Sequence, residues 1–284
     1  MKKYLLALIL ILLSSCTTVE FYRLQGWEVY KVENISVFYH KQNYSKVLSP
    51  DISFVKGVAE EQIKAISKAN SILKKEIKYP ISIYLYNMDE QIVSRNQHGG
   101  RADLQSNTVI YSYDGSITYN KYGEKYYVGI HEIAHIIFAN EFKYYTNNNR
   151  LITEGIAVWF EDGYQKIGIR SKKYNAKFTY KKSLDQWMSQ YAYILPSIKE
   201  VLDNQESMKE SLFYPIAGMF VKYLYEKFGI ETIKILYKNS NYSLEKTLIK
   251  ELNMDLNDID NEFKMYVNKY VDEHNVEYQD FISK

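Results

Sequence analysis

His131-Glu132-Ile133-Ala134-His135 lies inside a proline-free stretch, Tyr126 to Phe142, where Val128, Ile130, Ile133, Ala134, Ile136, Ile137 and Phe138 leave almost no polar side. That pattern predicts a buried helix rather than a surface one. Gly129 is its weak point, costing about 1 kcal/mol relative to alanine. Helical residues four apart are offset by about 40° and roughly 6 Å along the axis, so His131 and His135 share one face and can chelate one metal ion. Glu132 points about 100° away and need not be a ligand. His-Glu-x-x-His on a helix is the spacing by which two imidazoles hold zinc while the glutamate acts as general base on a zinc-held water. Zinc lowers the pKa of that water to about 7, so a carboxylate can take its proton near neutral pH.

A zinc site needs at least one more protein ligand. Beyond His135, after 18 intervening residues, Glu154 stands in Leu151-Ile152-Thr153-Glu154-Gly155-Ile156-Ala157-Val158-Trp159-Phe160. This run is again apolar on most sides, and Gly163 is placed to end it as a helix. A carboxylate buried there alone is costly, and a cation removes the cost. Gly155 beside it allows two helices to approach closely. Taken alone, Glu154 reads as a helix-surface carboxylate; the pairing with the two histidines makes it the third ligand.

The two segments together, His-Glu-x-x-His and then Thr-Glu-Gly-hydrophobic-Ala, resemble the gluzincin metallopeptidases, and among them the small bacterial peptidase MA-like proteins. Tyr214-Pro215-Ile216-Ala217-Gly218-Met219-Phe220-Val221-Lys222-Tyr223-Leu224 is similar to a later helix of that family, and Leu244 through Tyr266 to its C-terminal helices. The likeness covers roughly residues 27 to 270 and is strong from 126 to 163. It implies an α+β, zincin-like fold. An N-terminal mixed sheet with helices would precede a mostly helical C-terminal half, with the active-site cleft between them. It also implies one Zn2+ per chain on His131, His135 and Glu154, with Glu132 as general base and a peptide or protein as substrate. Many gluzincins supply a tyrosine hydroxyl to the oxyanion from a later helix, and Tyr214, 60 positions beyond Glu154, matches that place. With 29 tyrosines in the chain, one falls near any chosen point, so coincidence stays open. In the family a strand just before the zinc helix forms the sheet edge that binds substrate backbone, and Asn107 to Tyr113 matches it in order.

Other candidates are weaker. A ligating imidazole normally donates its second N–H to a carboxylate or carbonyl. Glu161 and Asp162 could serve, although a solvated C-terminal turn is the plainer reading. His98, in Asn96-Gln97-His98-Gly99-Gly100-Arg101, reads as a loop histidine. His40 and His274 show no partner pattern.

The amino terminus carries a separate signal. Met1-Lys2-Lys3 precedes an apolar run from Leu5 to Leu13, too short for a bilayer span of about 20 residues but suited to a secretory signal peptide. Leu13-Ser14-Ser15-Cys16 resembles the lipobox of bacterial lipoproteins, in which the signal is removed before the cysteine and lipid joins its sulfur. Cys16 is the only cysteine, and lipidation accounts for a thiol that has no internal disulfide partner. The expected location is a bacterial cell envelope, lipid-anchored and facing outside the cytoplasm, on an outer membrane or a cell surface. Removing residues 1–15 takes away Lys2 and Lys3 and cancels the formal charge of +2, leaving no electrostatic case for nucleic acid.

The expected organisation is a signal peptide over 1–15, the lipidated cysteine and a tether over 16–26, a catalytic domain over 27–275 and a tail over 276–284. Within it, Trp27 to His40 reads as strand-turn-strand, Asp51 to Lys78 as a helix, Tyr79 to Tyr86 and Asn107 to Tyr113 as strands, and nearly everything after Tyr126 as helical. Two other functions compete. One is a non-catalytic surface lipoprotein that keeps the fold for binding or envelope assembly. The other is zinc chemistry on a different amide, such as a peptidoglycan cross-bridge.

Overall fold

Strand β1 (Trp27–Val32) turns at Glu33, which takes a φ of 50°, and returns antiparallel as β2 (Ile35–His40). Along β2, buried residues alternate with half-buried ones, so Ile35, Val37 and Tyr39 face the core. The computed structural model describes residues 26–40, 52–87, 100–113, 118–119, 125–144, 149–162, 166–171, 176–181, 183–189, 194–239 and 241–282. The signal peptide, Cys16, His98 and Gly163 therefore lie outside the described residues. So does the proposed tether except Gly26, and so do the last two residues of the 276–284 tail.

Helix α1 (Ile52–Leu73) follows, and its buried Val55, Val58, Ala59, Gln62, Ala65, Ile66 and Ala69 recur at three- and four-residue spacing. It returns the chain to β3 (Ile81–Asn87), which pairs parallel with β2, as a helical crossover allows. Strands β4 (Gly100–Asp103) and β5 (Thr108–Tyr113) complete a five-stranded mixed sheet in the order β1-β2-β3-β5-β4. Ile81, Ile83, Leu85, Val109 and Tyr111 join the α1 residues in one hydrophobic cluster.

The sheet edge next to the helical half is thus β4, not the strand expected at Asn107 to Tyr113. Strand β5 is paired on both sides, parallel to β3 and antiparallel to β4. The turn between β4 and β5 is closed by Asp103, whose carboxylate accepts from the Gln105 N–H (3.1 Å) and the Ser106 hydroxyl (2.7 Å).

The remainder is mostly helical: α2 (His131–Phe142), α3 (Arg150–Glu161), α4 (Leu184–Met188), α5 (Ile198–Asn204), α6 (Glu210–Tyr237), α7 (Asn241–Leu252) and α8 (Leu256–Ile282). It is interrupted by a second sheet of four strands, β6 (Thr118–Tyr119), β7 (Lys125–Tyr126), β8 (Lys166–Ser171) and β9 (Ala176–Lys181), in the order β7-β6-β9-β8. Strands β8 and β9 depart from the nearly all-helical expectation after Tyr126. Among the described residues no helix is long and apolar enough to cross a membrane.

Candidate metal centre

The helix that carries the two histidines starts at His131, five residues later than its apolar pattern suggests. Gly129 adopts a φ of +87°, a left-handed conformation that ends any helix running through it. Two carboxylates hold this entry. Glu61, from α1, accepts the N–H groups of Tyr127 (3.3 Å), Val128 (3.1 Å) and Gly129 (3.1 Å). Glu161, the last residue of α3, accepts the Ile130 N–H at 3.1 Å. The Gly129 carbonyl in turn accepts from Gln62 Nε2 (2.8 Å) and the Tyr111 hydroxyl (2.9 Å). Four consecutive N–H groups of the segment leading into the helix, the last of them at its N-cap, are thus satisfied by two carboxylates of the same protein.

Helix α3 is positioned as firmly. Asn149 caps it by accepting the Ile152 N–H (3.3 Å) and donates to the Leu236 carbonyl (2.8 Å), tying the cap to the end of α6. At the other end Asp162, with a φ of 60°, takes the left-handed position expected of Gly163. Between them Gly155 lies flat against α6. A Cβ at Gly155 would stand 2.5 Å from the Ala217 carbonyl oxygen, and one at Gly218 would stand 2.5 Å from Val158 Cγ1. Two glycines thus let the helix backbones touch, and this contact carries Tyr214 to the site.

His131 Nε2, His135 Nε2 and Glu154 Oε2 converge. The separations are 3.2 Å between the two nitrogens, 3.3 Å from His131 to Glu154 and 3.6 Å from His135 to Glu154. Zinc–ligand bonds of about 2.0–2.1 Å at tetrahedral angles place neighbouring donors about 3.4 Å apart, and the triangle has that size. One shared proton can join only two of the three atoms, whereas a cation at the centre satisfies all three. The donor set, two imidazoles and a carboxylate, suits zinc. Side-chain exposures of 15%, 12% and 18% leave the group mostly buried, with part of each side chain still reaching solvent.

The electrostatics agree with the geometry. Burial opposes the charge on Glu154, but His135 and His131 outweigh it and hold its carboxyl well below the usual carboxylate range. Burial pulls the His135 imidazole down, while Glu154 and then Glu132 more than reverse this, so it is raised above the ordinary histidine value. Glu161 does not stand in a solvated turn, and it approaches His131 without reaching hydrogen-bond distance. Its side chain is fully buried, with Oε2 3.8 Å from His131 Nδ1. Asp162 plays no such part; its carboxylate accepts the Leu184 N–H at 3.4 Å.

Tyr214 stands edge-on to His131, with ring centroids 6.1 Å apart and planes at 88°. Burial, with the Glu154 charge behind it, pushes its phenol up to about 12. The Arg150 guanidinium lies over the rings of Phe213 (4.6 Å) and Tyr214 (5.7 Å) and donates to the Gln205 carbonyl at 2.7 Å. Glu132 is half-buried and its side chain lies against the Gly100 backbone on β4. His40 packs against Trp27, 4.0 Å between centroids, in the first hairpin. Of His274 only the helical backbone is described.

The sequence reading missed Glu61, Gln62, Gly100 and Arg150. A signal existed for one of them. Gln62 falls on the stripe of Val55, Val58, Ile66 and Ala69, and a polar residue at 0% exposure on a core-facing stripe needs a partner. No family model matches the chain, and no curated protein matches it.

Proposed function

We propose that this protein is a zinc-dependent metallopeptidase of the gluzincin kind, held at a bacterial envelope by a lipid on Cys16. One observation carries the reading: three donor atoms from α2 and α3 form a triangle with sides of 3.2, 3.3 and 3.6 Å, and a fourth side chain, Glu132, lies beside it without joining it. A site built only to bind zinc has no use for that extra carboxylate.

His131, His135 and Glu154 would hold one zinc ion per chain. Zinc bound there would supply an acidified water and a Lewis acid for a carbonyl. Glu132 takes a proton from the attacking water and returns it to the leaving amine. Tyr214, a neutral phenol at any physiological pH, donates its O–H to the oxygen that gains charge. Strand β4, as the sheet edge, offers backbone groups to an extended peptide. The lipid anchor rests on the lipobox-like Leu13-Ser14-Ser15-Cys16 alone.

Zinc stoichiometry and turnover of a mixed peptide library test this together. The wild-type protein should hold one zinc per chain, and His135→Ala should lose it. Glu132→Gln should keep the metal and lose turnover by at least about 100-fold, the lower end of what a general base contributes. A fully stable protein that binds no zinc favours the non-catalytic lipoprotein. Turnover by Glu132→Gln at the wild-type rate removes Glu132 from the mechanism.

A further inference from the structure

We propose that Gly100, at the start of the edge strand β4, is a positioning residue for Glu132, and that the missing side chain at this position is what keeps the carboxylate beside the donor triangle. The inference rests on the reading of Glu132 as the base of a metal site.

A Cβ built on Gly100 would stand 2.3 Å from Glu132 Cγ, 2.9 Å from its Oε1 and 3.0 Å from its Cδ. These are the three nearest atoms to that position, and all belong to Glu132. The strand backbone therefore lies directly on the side chain of the base. Gly100 does not need to be glycine for its own conformation, because its φ lies outside the left-handed region. Its place in the ladder is ordinary as well, paired with Tyr111 across β4 and β5. The reason for glycine here is thus the space that Glu132 occupies.

Contact with Cγ matters more than contact with the carboxylate tip. A methyl group 2.3 Å from Cγ cannot be avoided by turning the carboxylate about its last bond; the side chain must leave its rotamer. The nearby charges make the displacement readable. Moving the Glu132 carboxylate changes the field at the donor triangle without touching any of the three donors. The strand that covers the base is also the sheet edge, so backbone placement on β4 and the orientation of the base are set by one contact.

The test uses the full chain with its zinc replaced by cobalt, whose visible spectrum reports the coordination sphere, together with a double-mutant cycle over Gly100→Ala and Glu132→Gln. Gly100→Ala should bind cobalt within about twofold of wild type, since the ligands are untouched, and should melt close to wild type. Its spectral pH midpoint should move toward that of Glu132→Gln, and Gly100→Ala should add no further shift in the Glu132→Gln background. On peptide substrates kcat should fall by about 10- to 100-fold with KM nearly unchanged, the pattern of a lost transition-state interaction. A pH midpoint like wild type in Gly100→Ala, or an equal shift in both backgrounds, overturns the inference and leaves the metal reading standing. If Gly100→Ala fails to fold, Gly100→Ser must fail in the same way but recover in combination with Glu132→Ala, which vacates the space; no recovery overturns the inference. A wild-type protein that takes up no cobalt overturns the metal reading, and this inference falls with it.

Discussion

Glu161 does two things with one carboxylate. It accepts the Ile130 N–H at the entry to the histidine helix and places Oε2 3.8 Å from His131 Nδ1, in a fully buried setting. At 3.8 Å the carboxylate acts on the imidazole through its charge and not through a hydrogen bond, a contribution of about 10-fold in metal affinity, the lower end for an outer carboxylate. Glu161→Gln keeps an acceptor for Ile130 and loses the charge. Its zinc affinity, measured by competition with a chelator, should fall by about that factor while the far-ultraviolet dichroism stays native. Protons compete for the same site. His135 is raised by Glu154 and Glu132, so below its pKa the imidazole is protonated and must lose that proton before it can bind metal. Zinc affinity should therefore weaken as pH falls through the raised value. Calorimetry in buffers of different ionisation enthalpy should show protons released on binding at the acid end and fewer at the alkaline end.

At the scale of elements, the close contact between α3 and α6 decides where the residues of the site stand. Gly155→Ala would press a methyl group onto the Ala217 carbonyl, a backbone atom that cannot rotate aside. Overpacking of this kind costs about 1–3 kcal/mol, and urea unfolding should show the midpoint falling with an unchanged slope. Elements with strong periodicity were legible: the first hairpin, α1, β3, β5 and α3 lie within a few residues of their expected places. Strand β4 was not, because Gly100-Arg101-Ala102-Asp103 has no strand pattern of its own and exists by pairing with β5. Strands β8 and β9 do carry an alternating pattern in their own residues. Phe178 and Tyr180 alternate with Lys177, Thr179 and Lys181, and they pair in register with Ile169 and Ile167. The start of α2 could not be read from its own residues, since it is fixed by Glu61, 68 positions away from Gly129.

For the whole molecule, the spacing in the sequence anticipated that His131, His135 and Glu154 come together with Glu132 alongside, because short helical spacings survive any tertiary arrangement. What supports them did not follow, since Glu61 at the helix entry and Gly100 against Glu132 come from two other elements. A cation shared by α2 and α3 should stabilise the whole chain by mass action, about 2.7 kcal/mol at a free concentration 100 times the dissociation constant. Chelator should therefore lower the melting temperature by several degrees, at about 2–4 °C per kcal/mol for a chain of this size. His135→Ala should melt at the lower temperature with or without chelator.

The three donors all fall between His131 and Glu154, on two successive helices that pack together. Closing so short a loop costs little chain entropy, so this helical hairpin can assemble before the long-range strand pairing does. A cation bound at this hairpin while the sheet is still unformed would make metal supply bear on the rate of folding as well as on the finished protein.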